Sequence, residues 1–267
     1  MPELIPHNLV TLDGRLFVHW LNPLMLDLRP GFFHKAIRAL PARHRFAALT
    51  PIEYLMNAVF PPAAPGGFIF HTSRCGSTLL CQMLKQHPEA MVLGEPALLN
   101  RIVLTPRLSR RQKICALRGS IGLYCAWAQR NNRRLFIKLS SWNLLKLDLY
   151  REASNSPILC LYRHYLPVLA SLLRQPPGWL MNRSSASIAA TLPFPSYDPL
   201  TRAGCYYQYY IAAIHEALTR NCAAGLLEYE SILSHTEALL AFFKLPIADR
   251  VIEDMAGAAR LDAKSGV

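Results

Sequence analysis

The sequence predicts an α/β fold built on a parallel sheet, and three observations carry that reading. Short apolar runs at residues 68–71, 91–93, 135–139, 158–162 and 225–229 alternate with stretches of helical spacing, the pattern of βαβ units. The first of these runs passes through a small polar turn straight into an amphipathic segment. The chain has 267 residues and a hydrophobic share of 52%, enough to cover such a sheet on both faces.

Taken in order, residues 1–65 carry aromatic and apolar side chains but no phosphate chemistry. They read as a mainly helical N-terminal extension packed on the core. The breaker cluster Pro61-Pro62-Ala63-Ala64-Pro65-Gly66-Gly67 ends this segment, so residues 66–267 form the main domain. Phe68, Ile69 and Phe70 begin the first core strand, Thr72 to Thr78 make the turn, and Leu79, Leu80, Met83 and Leu84 start the helix. Further on, Ile114, Leu117, Ile121, Tyr124 and Ala128 have helical spacing, and Ser109 is placed to cap that helix. The stretch Pro193 to Pro199 reads as a loop, a lid over the substrate. There is no internal repeat.

Strand, tight turn, helix start is the geometry of a phosphate-binding loop. Backbone N–H groups of the turn and the positive end of the helix dipole converge on one point. Gly76 allows close approach of an anion, Ser77 and Thr78 add hydroxyl donors, and Arg74 brings a planar, fixed charge. A nucleotide-triphosphatase loop would read G-x-x-x-x-G-K-[ST], but Ser77 follows Gly76 with no lysine between. A cysteine phosphatase would need an arginine six residues after Cys75, where Cys81 stands, and no G-x-S-x-G elbow occurs. The loop suits a phosphate that is held rather than cleaved.

Ser73-Arg74-Cys75-Gly76-Ser77-Thr78-Leu79-Leu80 resembles the 5′-phosphosulfate loop of sulfotransferases that use 3′-phosphoadenosine 5′-phosphosulfate (PAPS). His87-Pro88 and Gly94-Glu95-Pro96 resemble the branch that contains the tyrosylprotein and several bacterial sulfotransferases. The chain departs from the pattern at Cys75, where serine is more usual; a position that contributes its backbone N–H tolerates this. The resemblance covers about residues 67–233. It implies a three-layer α/β/α fold with a central, mostly parallel sheet and the phosphate loop after the first core strand. It also implies a metal-independent, in-line transfer to a hydroxyl or amine, leaving adenosine 3′,5′-bisphosphate. The amides of Cys75 to Leu79 would hold the 5′-phosphate.

Six further residues match the family, and for four of them a plainer reading stands beside the match. Arg163 ends a strand and Ser171 follows eight residues later, two helical turns on. Spacing alone gives a strand-end arginine and an ordinary helical serine; the resemblance makes them the 3′-phosphate site. Glu95 follows the second strand, where spacing alone favours a loop carboxylate and the resemblance implies the general base. Lys138, at the end of an apolar run, either snorkels to solvent or, as the resemblance implies, neutralises the transferring group with Arg74. Tyr229, in Leu227-Glu228-Tyr229-Glu230-Ser231, resembles a cofactor-side tyrosine, and Lys264 a lysine that closes over the nucleotide.

Composition bounds the rest. The net charge is +12, and residues 101–150 hold eleven Lys or Arg against Asp148 alone. That cluster is either a solvated helix face or a field that draws in an anionic ligand. Aromatics are not interleaved with it as a nucleic-acid platform requires, so no nucleic-acid partner is expected. Seven cysteines without a C-x-x-C pair or metal spacing read as reduced, buried thiols, and with no signal peptide or spanning run the expectation is a cytoplasmic protein. No metal site is expected. The sequence does not identify the acceptor; a small molecule, sugar or peptide is expected, with its pocket shaped by residues 1–65 and 176–200. Two competitors stand beside this reading: a P-loop kinase-like enzyme using ATP and Mg²⁺, and a non-catalytic nucleotide- or polyanion-binding protein.

Overall fold

The computed structural model describes residues 4–57, 64–174, 219 and 225–265. Pro193 to Pro199, with all of residues 176–200, lie outside the described residues. The chain opens with a three-stranded antiparallel sheet, β1 (Ile5–Leu12), β2 (Arg15–Leu21) and β3 (Ala48–Pro51), in that order. Three short helices accompany it: α1 (Phe33–Ala39), α2 (Ala42–Arg45) and α3 (Glu53–Met56).

The expectation of a mainly helical segment over 1–65 is therefore corrected. Leu12 pairs with Arg15 across a two-residue turn in which Asp13 and Gly14 have φ of 47° and 75°. Both central residues at positive φ is the hairpin turn that Asp-Gly favours, because its twist matches that of the strands. Ile5, Leu9, Val18, Trp20 and Leu21 face inward and join the core cluster that also contains Phe68 and Phe70. The buried Tyr124 hydroxyl donates to the Pro6 carbonyl at 2.7 Å, tying this sheet to the main body.

The second sheet has five strands: β4 (Gly67–His71), β5 (Ala90–Gly94), β6 (Arg134–Lys138), β7 (Ile158–Tyr162) and β8 (Gly225–Glu228). Their order is β5-β6-β4-β7-β8 and every neighbouring pair is parallel. The connections carry α4 (Ser77–Leu84), α5 (Ala97–Leu104), α6 (Arg110–Arg130), α7 (Leu147–Ala153) and α8 (Tyr165–Arg174); α9 (Thr236–Phe242) and α10 (Asp249–Ser265) follow β8. Strand alternation splits the core in two. Phe68 and Phe70 pack with Leu98, Leu117, Tyr150 and Val168 on one face; Ile69 and Phe136 pack with Leu80, Leu240 and Met255 on the other. Helices on both faces of a parallel sheet make three layers, α/β/α.

Because β4 is flanked by β6 on one side and β7 on the other, the chain reverses direction there. Ligands of open parallel sheets bind at such a switch point, outside the carboxyl ends of the strands. Ser109 caps α6 as expected, and Gln112 completes a capping box with it. Among the described residues no helix is long and apolar enough to cross a membrane.

Candidate active site

Each strand of the parallel sheet delivers a side chain or turn to the same edge. β4 ends at His71 and runs through residues 72–76 into α4. Ser73, Arg74 and Gly76 all have positive φ, 74°, 49° and 73°. A turn of this handedness aims successive N–H groups into one concavity. The first bond of α4 runs from Leu80 N–H to the Gly76 carbonyl at 2.9 Å, so the N–H groups of Ser77, Thr78 and Leu79 have no partner within the helix. No side chain caps this end. Gly76 is fixed twice over: besides its φ, a Cβ there would lie 2.3 Å from Cδ2 of Tyr229.

Cys75 is buried and its Sγ lies 3.4 Å from the Leu161 carbonyl. Burial pushes its thiol up to about 11, so it is a packed, protonated group and no nucleophile.

Glu95 and Lys138 meet because Gly94 pairs with Lys138 in the β5–β6 ladder. The Glu95 N–H donates to the Lys138 carbonyl at 2.7 Å, and Lys138 Nζ donates to Glu95 Oε1, also at 2.7 Å. Glu95 holds φ of 54° immediately before Pro96, an expensive conformation for a residue with a Cβ. Lys138 is only 1% exposed, which answers the snorkelling alternative: its ammonium is buried against a carboxylate. Burial alone would raise the Glu95 carboxyl, but the charge of Lys138 and the hydrogen bonds from Lys138 and Ser140 outweigh it and hold it below the ordinary carboxylate value.

A hydrogen-bonded chain stands behind this pair. Ser140 Oγ donates to Glu95 Oε2 at 2.8 Å and accepts from Asn100 Nδ2 at 2.9 Å. Asn143 Nδ2 donates to Asn100 Oδ1 at 2.8 Å, and the buried Tyr150 hydroxyl donates to Asn143 Oδ1 at 3.0 Å. His71 Nδ1 accepts from the Ser73 N–H at 3.1 Å, which leaves its proton on Nε2, 4.0 Å from Glu95 Oε1. Burial and then Lys138 bring the His71 ring down to about 3, so it is neutral at pH 7.

On the other side of β4, Arg163 follows β7 and Tyr229 follows β8. The guanidinium lies over the Tyr229 ring, 4.2 Å from its centroid, and Nε donates to Glu230 Oε1 at 3.0 Å. Tyr229 in turn packs on Gly76. The loop, Tyr229 and Arg163 are thus one contiguous surface. Ser171 lies on α8, half-buried. Lys264 falls in the last turn of α10, and its side chain lies outside the described residues.

Several functional neighbours escaped the sequence reading. Ser140 stands two residues past Lys138, a spacing that could have suggested it. Glu230 carries no local signal for its bond to Arg163. Phe32, whose ring lies 4.7 Å from Lys138 Nζ, comes from the N-terminal segment. The basic cluster over 101–150 is not a single patch. Arg101 donates to the Leu9 carbonyl at 3.1 Å, Arg107 to Gly14 at 3.1 Å, Lys113 to Val103 at 2.7 Å and Arg134 to Lys244 at 2.6 Å. Arg110 pairs with Asp148 at 2.6 Å and with Glu152. Among the described residues no group of three or more His, Cys, Asp or Glu is placed to hold a metal ion.

No family model matches the chain, and no curated protein matches it. Solved structures do. Sulfotransferase STF9 from Mycobacterium avium superposes with a TM-score of 0.51 and 9% identity, covering 89% of this chain and 83% of its own. The sulfotransferase domain from the curacin biosynthetic pathway gives 0.49 and 16% over 73% of this chain and 78% of that one. The sulfotransferase domain of the Synechococcus PCC 7002 olefin synthase gives 0.45 and 16% over 70% and 76%. At such identities what is shared with STF9 is the fold.

Proposed function

We propose that the protein is a sulfotransferase that moves the sulfuryl group of PAPS to a hydroxyl or amine by metal-independent in-line displacement. The observation that carries this reading is the meeting, at one sheet edge, of an anion-binding turn with a buried Lys138–Glu95 pair. A turn alone would bind phosphate; a positioned carboxylate beside a buried cation adds the means to activate an alcohol and to neutralise charge.

The residues fit the donor. The N–H groups of the turn and the start of α4 offer donors where a 5′-phosphate would sit, and Gly76, at positive φ, lets the Tyr229 ring pack directly on the turn. Arg163, already holding a carboxylate of Glu230, offers a planar fork of the kind that a 3′-phosphate takes. Ser171 is proposed as its partner, and Lys264 as a clamp over the nucleotide. When bound, PAPS would supply the sulfuryl group and keep the bisphosphate as leaving group.

The chain's own residues would then divide the work. Lys138 and Arg74 counter the negative charge on the peripheral and leaving oxygens. Glu95, held by Ser140 and the Asn100–Asn143–Tyr150 chain, accepts the acceptor's proton. Its carboxyl is a poor base while Lys138 is bonded to it. If Lys138 turns toward an anion in the turn, the shift of Glu95 is relieved and its Oε1 becomes available. His71, neutral, keeps the turn in place through the Ser73 N–H.

Thermal unfolding with ligands tests the reading. Adenosine 3′,5′-bisphosphate should raise the midpoint by mass action, and AMP should do much less. Equal shifts with the two would remove Arg163 and Ser171 from the site. Stabilisation by ATP with Mg²⁺ alone would favour a kinase-like enzyme instead. Turnover with labelled PAPS over alcohols, sugars, phenols and peptides then identifies the acceptor.

A further inference from the structure

The segment that leads into α1 forms a wall of the site. Lys85 Nζ donates to the Pro30 carbonyl at 2.7 Å and to that of Arg29 at 3.2 Å, and Gln82 Nε2 to Arg29 at 3.3 Å. Gly31 lies so close to the end of β5 that a Cβ on Gly94 would stand 2.1 Å from the Gly31 carbonyl oxygen. A Cβ on Gly31 would in turn meet Cγ2 of Thr78 at 3.0 Å. The backbone here is fixed between α4 and β5, so the first turn of α1 is held beside Glu95 and Lys138.

That turn brings a particular chemistry. The Phe32 ring lies against Lys138 Nζ and 5.6 Å from the ring of His34. His34 is exposed and feels the charges of Arg38, Glu95 and Lys35. Lys35 and Arg38, three apart, share a face of α1, and both are exposed. Among the described residues neither has an acidic partner. The sequence offers no acid from residue 28 to 52 but five Lys or Arg. Residues 175–224 do not offset this, since they hold three arginines against Asp198 and Glu216.

Resting on the sulfotransferase reading, we propose that the acceptor is an anion: an alcohol or phenol that carries a carboxylate, sulfate or phosphate about one helical turn from the reacting hydroxyl. The hydroxyl goes to Glu95, past the Phe32–His34 edge, and the acidic group goes to Lys35 and Arg38. A neutral acceptor leaves these two charges without an anionic partner, since among the described residues Lys35 meets only the Phe32 ring at 5.6 Å, and a cationic one is repelled by them. The site thereby selects acceptors by charge at a point remote from the bond that forms.

The test uses the full chain saturated with adenosine 3′,5′-bisphosphate. Two probe series differ only in charge: 4-hydroxyphenylacetate, 4-hydroxyphenylacetamide and tyramine; and galacturonate, galactose and galactosamine. Titration calorimetry or ligand-observed NMR should rank anion over neutral over cation in at least one series, with the anion about five- to tenfold tighter than the neutral probe, the scale of two exposed charge pairs. Lys35→Glu with Arg38→Glu should remove or invert that ranking, while the bisphosphate-induced thermal shift persists. Absence of an anion preference in both series, or a ranking untouched by the double charge reversal, overturns the inference. If the bisphosphate itself fails to stabilise the protein, the sulfotransferase reading falls, and that outcome is distinct from the first.

Discussion

Removing the Glu95 carboxylate should destabilise the protein far more than an exposed loop residue would, and the size follows from Lys138. Its ammonium is 1% exposed, and its bond to Glu95 Oε1 is 2.7 Å long. Glu95→Ala strands a buried charge, a loss of about 3–5 kcal/mol. At roughly 2–4 °C per kcal/mol for a chain of this size, the midpoint should drop by roughly 6–20 °C. Lys138→Met should be milder, because the carboxylate keeps Ser140 and has a side chain 24% exposed to water. The double variant Glu95→Ala/Lys138→Met should lose less than the two singles together, with a coupling of about 1–3 kcal/mol. Urea unfolding, with m constant across the set, measures all three. Additivity within about 0.5 kcal/mol would refute the argument, since the two groups would then be held independently. The pH dependence has a fixed sign. The folded carboxyl is depressed, so its contribution is present above its unfolded value of about 4.5 and is lost as pH falls through the lower folded value. Glu95→Gln serves the chemistry: bisphosphate binding should survive while turnover falls by roughly 10²–10⁴, the contribution of a positioned base.

Other perturbations report on the remaining parts. Arg163→Ala should weaken bisphosphate binding by about 2–3 kcal/mol, with AMP little affected, measured by calorimetry. Glu230→Gln, which removes the carboxylate now bonded to Arg163, should tighten bisphosphate binding by a few-fold; weaker binding would mean that Glu230 orients the arginine rather than competing for it. Gly76→Ala combines positive φ, worth about 1–2 kcal/mol, with a clash on the Tyr229 ring, and should abolish the bisphosphate-induced thermal shift. His7 is brought down to about 4 by burial, so the neutral form is favoured in the fold; its contribution is full above pH 6.5 and is lost toward pH 4, at most about 3 kcal/mol. His7→Gln should flatten that part of the stability–pH curve, and an unchanged slope would exclude His7 as its source.

Much of the parallel sheet was legible because its signals are local. The five apolar runs correspond to β4 through β8, and Ser109 caps the helix that its spacing announced. The turn at 72–76 could be read for the same reason, since glycine, small hydroxyls and arginine constrain a few adjacent residues. The N-terminal sheet does not show in the aromatic and apolar content of residues 1–65, although Asp13-Gly14 between β-rich flanks is itself a hairpin signal. The partners within the site were not legible at all. Glu95 finds Lys138, and Arg163 finds Glu230, because the strand order β5-β6-β4-β7-β8 brings together residues 43 and 67 positions apart. Periodicity within a window of a dozen residues carries no information about that order.

Those two pairs have a common logic. At the sheet edge the cations best placed to meet a nucleotide's anionic groups, Lys138 and Arg163, each hold a carboxylate, at 2.7 and 3.0 Å. Two unpaired cations beside an anion-binding turn would repel each other and the positive end of α4, and the carboxylates offset that repulsion. On the proposed reading, an entering bisphosphate has to displace them. At Arg163 the exchange weakens binding and nothing more, because Glu230 is exposed and regains water. At Lys138 it has a chemical consequence, because the released partner is Glu95. The carboxylate loses the charge that depresses it only when an anion has taken its place beside Lys138. The base would thus gain strength when a donor draws Lys138 away and stay weak while Lys138 is bonded to it, which follows from the strand register that sets Gly94 against Lys138.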